Sequence, residues 1–217
     1  MMKRRQFTLR AALVVAPALL GAGATLAQPA KPREGKDYLV LGKRAPTDAP
    51  AGKIEVVEFF WYNCPHCNSF EPALEAWVNS LPKDVSFKRV PVAFRDDFAP
   101  QQRLFYTLEA LNKVDEYQRK VFHAVHVERQ SLNSDEAILA WATKQGFDMA
   151  RFTEAYRSFS VASKLRKAVQ LQDAYKVEGV PSLGIAGLYY TDGSLAGSMD
   201  RALQVADHLI AEARKSR

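Results

Sequence analysis

Cysteine is nearly absent from this chain of 217 residues: there are two, Cys64 and Cys67, with two residues between them. That count excludes a disulfide framework. The one bridge available would close too short a loop to remove much entropy from the unfolded chain, so a structural staple explains it poorly. Histidine is scarce as well, at four. No second CxxC and no HxxxH accompanies the pair, and a typical zinc set therefore lacks half its ligands. A two-coordinate copper(I) site stays open, because soft thiolates suit that ion. His123 and His126, three apart in a distant helical stretch, read as partly exposed helical residues rather than ligands.

Long apolar runs are missing too. The best candidate, Ala11 to Leu26, falls short of the roughly 20 residues a membrane span needs, and Pro17, Gly21 and Gly23 interrupt it. Lys3, Arg4, Arg5 and Arg10 make a basic start, and Thr25 and Ala27 place small residues at a cleavage site. Residues 1–27 thus read as a bacterial export signal, cut after Ala27, that delivers the chain to the periplasm. "KRRQFTL" also resembles a twin-arginine signal, which leaves the export route open. The signal holds four of the 30 basic residues and none of the 24 acidic ones, so its removal lowers the formal charge from +6 to +2. No basic tract remains, and nucleic acid drops out as a partner. Export also places the cysteines where a disulfide persists.

What is present is the material of an ordinary soluble domain, 47% hydrophobic and 25% charged, enough for a packed core without staples. "DYLVLG" reads as an edge strand in a leader rich in Pro, Lys and Gly. "KIEVVEFF", Lys53 to Phe60, lacks clean alternation and suits a central strand buried on both faces. Phe70, Leu74, Trp77, Val78 and Leu81 then recur at helical spacing, "LPKD" breaks the helix, and "VSFKRVPVAF" is a second strand. That order predicts a βαβ unit with parallel strands. From Pro100 to Val177 the pattern is helical throughout. Asn133 with Glu136 predicts a capping box, Gly146 a helix end, and Asp148 the cap of a short helix. Ala162 to Tyr175 is the last helix of this stretch. Two short strands follow around Gly187, with a turn at Asp192-Gly193, and Ser198 caps a final helix.

Cys64-Pro65-His66-Cys67 falls where the central strand ends and a helix begins. Pro65 fits the first helical turn, where its missing N–H has no partner to lose. Cys64 then sits at the N-cap, facing free backbone N–H groups and the positive end of the helix dipole, which favour a thiolate. A protonated His66 adds positive charge. A low thiolate pKa stabilises the reduced pair, so its disulfide is oxidising, and it makes Cys64 a good leaving group. Cys67, one turn on and more buried, is the resolving thiol. Glu58 lies among five apolar or aromatic neighbours, which argues for burial. Lys88 or Arg89 on the neighbouring strand would be its charge partner, the register being open. Trp61 and Tyr62 are either apolar surface for an unfolded chain or core aromatics.

"EFFWYNCPHCNSFEP", the long helical stretch and "VEGVPS" together resemble the DsbA family of periplasmic thiol oxidases. The resemblance covers essentially all of the chain after the signal. It implies an α/β, thioredoxin-like fold with an inserted helical domain: residues 28–97 and 178–217 form the thioredoxin-like part and 98–177 the insertion. It makes Cys64 the nucleophile that carries the mixed disulfide and Cys67 its partner, with Pro65 and His66 between them. Glu58 takes the place of the buried acid beneath the site, which implies that it modulates the thiol pKa values and relays protons. Val180-Pro181 becomes a cis-proline loop that brings the Val180 backbone beside Cys64 to pair with an extended substrate; from the residues alone, Pro181 only ends a helix. Trp61 contributes to substrate binding. The implied activity is donation of the Cys64–Cys67 disulfide to reduced, unfolded, newly exported proteins. A DsbB-like membrane quinone reductase restores the disulfide. No organic cofactor and no metal is expected, and the protein is a monomer. A disulfide isomerase or reductase of the same fold, and a copper-binding periplasmic protein, are the alternative readings.

Overall fold

The computed structural model describes residues 31–216, so the export signal read at 1–27 lies outside the described residues. Five strands form one sheet in the order β1-β5-β4-β2-β3. They are β1 (Leu39–Val40), β2 (Ile54–Phe60), β3 (Val85–Pro91), β4 (Ser182–Ile185) and β5 (Tyr189–Asp192). All seven residues of β2 are buried, as a strand covered on both faces requires. It pairs in parallel with β3 and antiparallel with β4, while β1 lies at the edge against β5. Helix α1 (Pro65–Ser80) makes the crossover from β2 to β3. This is the thioredoxin-like arrangement, with a helical insert between β3 and β4.

That insert holds a single 3-10 turn (Asp96–Phe98) and helices α2 (Ala99–Ala110), α3 (Val114–His126), α4 (Asp135–Lys144), α5 (Met149–Tyr156) and α6 (Phe159–Tyr175). After β5 come one helical turn, α7 (Gly193–Ala196), and the long α8 (Met199–Lys215). Two apolar layers sandwich the sheet. On one side Ile54, Val56, Leu183 and Ile185 pack on Phe70 and Leu74 of α1 and on Ala202, Val205, Ala206 and Leu209 of α8. On the other, Val57 and Phe59 join a larger cluster with Leu104, Phe122, Trp141, Phe152 and Tyr156 of the insert. The strand that leads to the cysteines is therefore held from both faces.

Local differences from the sequence reading have clear causes. The cap of α4 is Ser134, whose hydroxyl accepts from Ala137 N–H. Asn133 does not form the expected box, because its side chain accepts from the Ser131 hydroxyl at 2.6 Å. Helix α6 starts before Ala162 because Ser158 caps it, accepting from Val161 N–H at 3.1 Å. The expected turn at Asp192-Gly193 is the start of α7, with Asp192 accepting from Ser194 and Leu195 N–H. Asp148 and Ser198 cap α5 and α8 as read. Gly187 turns the β4–β5 hairpin at φ +69, where an added Cβ would lie 2.5 Å from the Ala45 carbonyl oxygen, a position only glycine fits.

Candidate active site

Strand β2 ends at Phe60 and a three-residue bridge, Trp61–Asn63, leads to Cys64. Cys64 N–H donates to the Trp61 carbonyl at 3.0 Å, which closes a tight turn. With φ −78 and ψ 115, Cys64 stands at the N-cap of α1, and Pro65 opens the helix. Its sulfur accepts the Cys67 backbone N–H at 3.4 Å. Across the groove, the Cys64 thiol donates to the Val180 carbonyl at 3.4 Å. The Val180-Pro181 peptide is cis, and the hydrogen bond to Val180 lays the loop implied by the family resemblance against Cys64. Both cysteines are free thiols in this structure.

Their environments drive their acidities apart. The Cys67 thiol and the backbone N–H groups of Cys67 and His66, with the His66 charge, bring Cys64 down to about 6 against the opposing effect of burial. Burial pushes Cys67 far up, and its hydrogen bond to Cys64 and the negative charges of Cys64 and Glu58 push it further. The pair thus concentrates thiolate character on the outer sulfur. His66 is exposed and Cys67 fully buried.

Beneath them lies Glu58, completely buried on β2. The parallel register sets Arg89 of β3 opposite it, with Arg89 Nε 3.1 Å from Glu58 Oε2. That N–H does not point along the contact, and both Glu58 oxygens lack an aligned donor. Burial, then the neighbouring Glu71 charge, raise Glu58 to about 8, with Arg89 opposing. A second Arg89 nitrogen donates to Glu71 Oε2 at 3.0 Å. Burial works against the guanidinium charge, but the Glu58 and Glu71 carboxylates outweigh it and hold Arg89 protonated. Lys88 points to the other face, where it meets Glu55 and Asp48. Among the described residues no group of three or more His, Cys, Asp or Glu comes together as a metal-ligand set.

A thioredoxin sheet with a helical insert, and a CPHC pair at a helix N-terminus facing a cis-proline, can be compared with known proteins. A family model described as a DSBA-like thioredoxin domain matches residues 86–208. The thiol:disulfide interchange protein DsbA of Burkholderia cepacia is 42% identical over 191 residues, covering 88% of this chain and 90% of that one. The Bordetella pertussis protein of the same name is 43% identical over 204 residues, 93% of this chain and 96% of its own. The chain belongs to the DsbA family. The crystal structure of Pseudomonas aeruginosa DsbA superposes with a TM-score of 0.79 at 38% identity, over 84% of this chain and 94% of that one. Thiol:disulfide oxidoreduction is accordingly the activity of this chain.

Around this DsbA-type centre the structure separates the two aromatic candidates. Trp61 is half-buried and stacks on Phe98, with ring centroids 4.0 Å apart and planes at 11°. Tyr62 is core, donating its hydroxyl to Gln118 at 2.7 Å. Leu183 and Gly184, after Pro181, are also buried. Sequence reading passed over Glu71, Gln101 and Gln118, and took His126 for a partly exposed helical residue without a role in the site. Glu71 had a signal: it follows Cys67 by four positions and so shares its face of α1. The other three come from the insert, far away in sequence, and had none.

Proposed function

We propose that this protein is a periplasmic dithiol oxidase that passes the Cys64–Cys67 disulfide to reduced, newly exported proteins. The observation that carries the reading is the asymmetry of the pair: an outer sulfur held by helix N–H donors and an inner sulfur fully buried and under the influence of the Glu58 charge. In the oxidised form, a substrate thiolate attacks Cys64 Sγ. The S–S bond breaks, and Cys67 leaves with the electron pair and takes up a proton in its apolar surroundings. Glu58, lifted to about 8 by burial, is the nearby group able to hold and return that proton at neutral pH. A second substrate thiolate then attacks the substrate sulfur of the mixed disulfide. Cys64 departs as a thiolate, stabilised by the same N–H groups. Substrate leaves with a disulfide and the enzyme keeps two electrons.

The Val180 backbone next to Cys64 supplies an edge on which an extended, unfolded chain hydrogen-bonds, and half-buried Trp61 adds apolar contact. No organic cofactor is required, since the cysteine pair carries both electrons. A membrane quinone reductase of the DsbB kind reoxidises the pair, and the protein acts as a monomer. The test is the redox equilibrium of the purified protein with glutathione. An oxidase predicts that dilute reduced glutathione suffices to reduce the pair. A disulfide that survives a large excess of reduced over oxidised glutathione would overturn the reading in favour of a reductase.

A further inference from the structure

Each residue of the bridge between β2 and α1 is held by a side chain of the helical insert. Trp61 stacks on Phe98 of the 3-10 turn. The Tyr62 carbonyl lies 2.8 Å from His126 Nε2 of α3; since a carbonyl only accepts, Nε2 carries the hydrogen and donates. Asn63 Oδ1 accepts from Gln101 Nε2 of α2 at 2.7 Å. The His126 ring is braced in turn against Phe122, with planes at 27°, and Gln101 is buried. We propose that the insert is a positioning device for the redox centre, in which His126 holds the Tyr62 carbonyl and Gln101 the Asn63 side chain, and together they keep Cys64 in its capping conformation.

The physical link is short. The Cys64 sulfur meets the Cys67 N–H only while Cys64 keeps extended backbone angles at the head of α1. Cys64 N–H is already used by the Trp61 carbonyl, and Pro65 has no N–H to give. The orientation of Cys64 therefore depends on the peptide planes of residues 61 to 63. His126 of α3 grips the Tyr62 carbonyl directly, and Gln101 of α2 holds residue 63 through its side chain. If they let go, Cys64 samples angles in which its sulfur points away from the helix N–H groups, and the thiolate loses part of its stabilisation. His126 and Gln101 act through Cys64 and do not touch the reacting sulfur, so they are positioning residues. The inference rests on Cys64 being the outer, thiolate-bearing cysteine.

The experiment compares His126→Leu, Gln101→Leu, the double variant and His126→Gln with the wild-type protein. Each is read by its equilibrium constant with glutathione and by the ultraviolet absorbance of the Cys64 thiolate against pH. The groups acting on that thiolate are the titratable Cys67 thiol, the His66 charge, the uncharged N–H groups of Cys67 and His66, and the Val180 carbonyl. Each leucine variant is expected to shift the equilibrium about two- to fivefold toward the disulfide, with a matching rise of the thiolate midpoint, and the double variant to approach the product. His126→Gln, which keeps a donor for the Tyr62 carbonyl, is expected within about twofold of wild type. Ser158→Ala, which uncaps α6 far from the cysteines, serves as the destabilisation control. Leucine variants that lower thermal stability as Ser158→Ala does, without moving either redox readout, would show the contacts to be merely structural. A His126→Gln protein that behaves like His126→Leu would overturn the hydrogen bond as the agent. If His126→Leu fails to fold, Gln101→Leu alone decides. The wild-type equilibrium tests the oxidase reading separately, because the inference concerns only shifts relative to it.

Discussion

Helices α4, α6 and α8 begin at Ser134, Ser158 and Ser198, whose hydroxyls accept the N–H three residues on at 3.2, 3.1 and 3.1 Å. Helix α1 begins at Cys64, whose sulfur accepts the N–H three residues on at 3.4 Å. The backbone device is the same, and the benefit runs in opposite directions. A serine hydroxyl stays neutral and satisfies the helix. A thiol in that place ionises, and the helix stabilises the charge. One atom exchanged for another turns a structural cap into a redox centre, provided that a second sulfur is buried one turn below it and an acid lies below that.

The largest effect is expected when the two kinds of cap are made identical. Cys64→Ser keeps an acceptor at the head of α1 and removes the chemistry. It should lose all measurable thiol exchange while its stability stays within about 1 kcal/mol of the reduced wild type. Insulin or glutathione oxidation assays and a urea titration read the two effects. Cys67→Ser, which leaves the charged cap intact, should instead accumulate mixed disulfides with substrate, visible on non-reducing gels. Their absence would reverse the assigned roles.

Stability against pH separates the two kinds of cap as well, because a charged cap responds to pH and a hydroxyl cap does not. The folded pKa of Cys64, about 6, lies below its ordinary 9.0. Its contribution to the reduced protein is therefore fully present above pH 9 and is lost as pH falls through 6. Glu58 has the opposite sign: raised from 4.5 to about 8, it costs the fold nothing below pH 4.5 and its full penalty above 8. Glu58→Gln should thus be nearly neutral at pH 4 and stabilising at pH 9, on the order of 1–3 kcal/mol, with Arg89 still paired to Glu71. A variant less stable than wild type at pH 9 would mean that the Arg89 contact outweighs the cost of burying the charge. The smallest effect belongs to a pure cap. Ser158→Ala should cost about 1 kcal/mol and leave the glutathione equilibrium unchanged.

Much of this was legible in the residues, because the signals were local. The β-branched and aromatic run of β2, Pro65 at a helix start, and the caps at Asp148 and Ser198 each depend on a few neighbouring positions. Asn133 misled because Ser134 beside it is an equally good cap, and only the hydrogen bond to Ser131 shows where the asparagine is spent. The choice between Lys88 and Arg89 needed the register of two strands about 30 residues apart, and no local pattern sets it. His126 looked like an ordinary surface histidine on its own helix, since Tyr62 stands 64 positions away. The approach of Val180 to Cys64 followed from the family resemblance rather than from any property of a lone proline.

The central claim is that the start of α1 makes Cys64 a thiolate at neutral pH. The most direct test is the rate of iodoacetamide alkylation of Cys64 in the reduced protein as a function of pH. The account predicts a midpoint near pH 6, with the rate falling about tenfold between pH 7 and pH 5. A midpoint near 9, the ordinary value for the thiol, would contradict it.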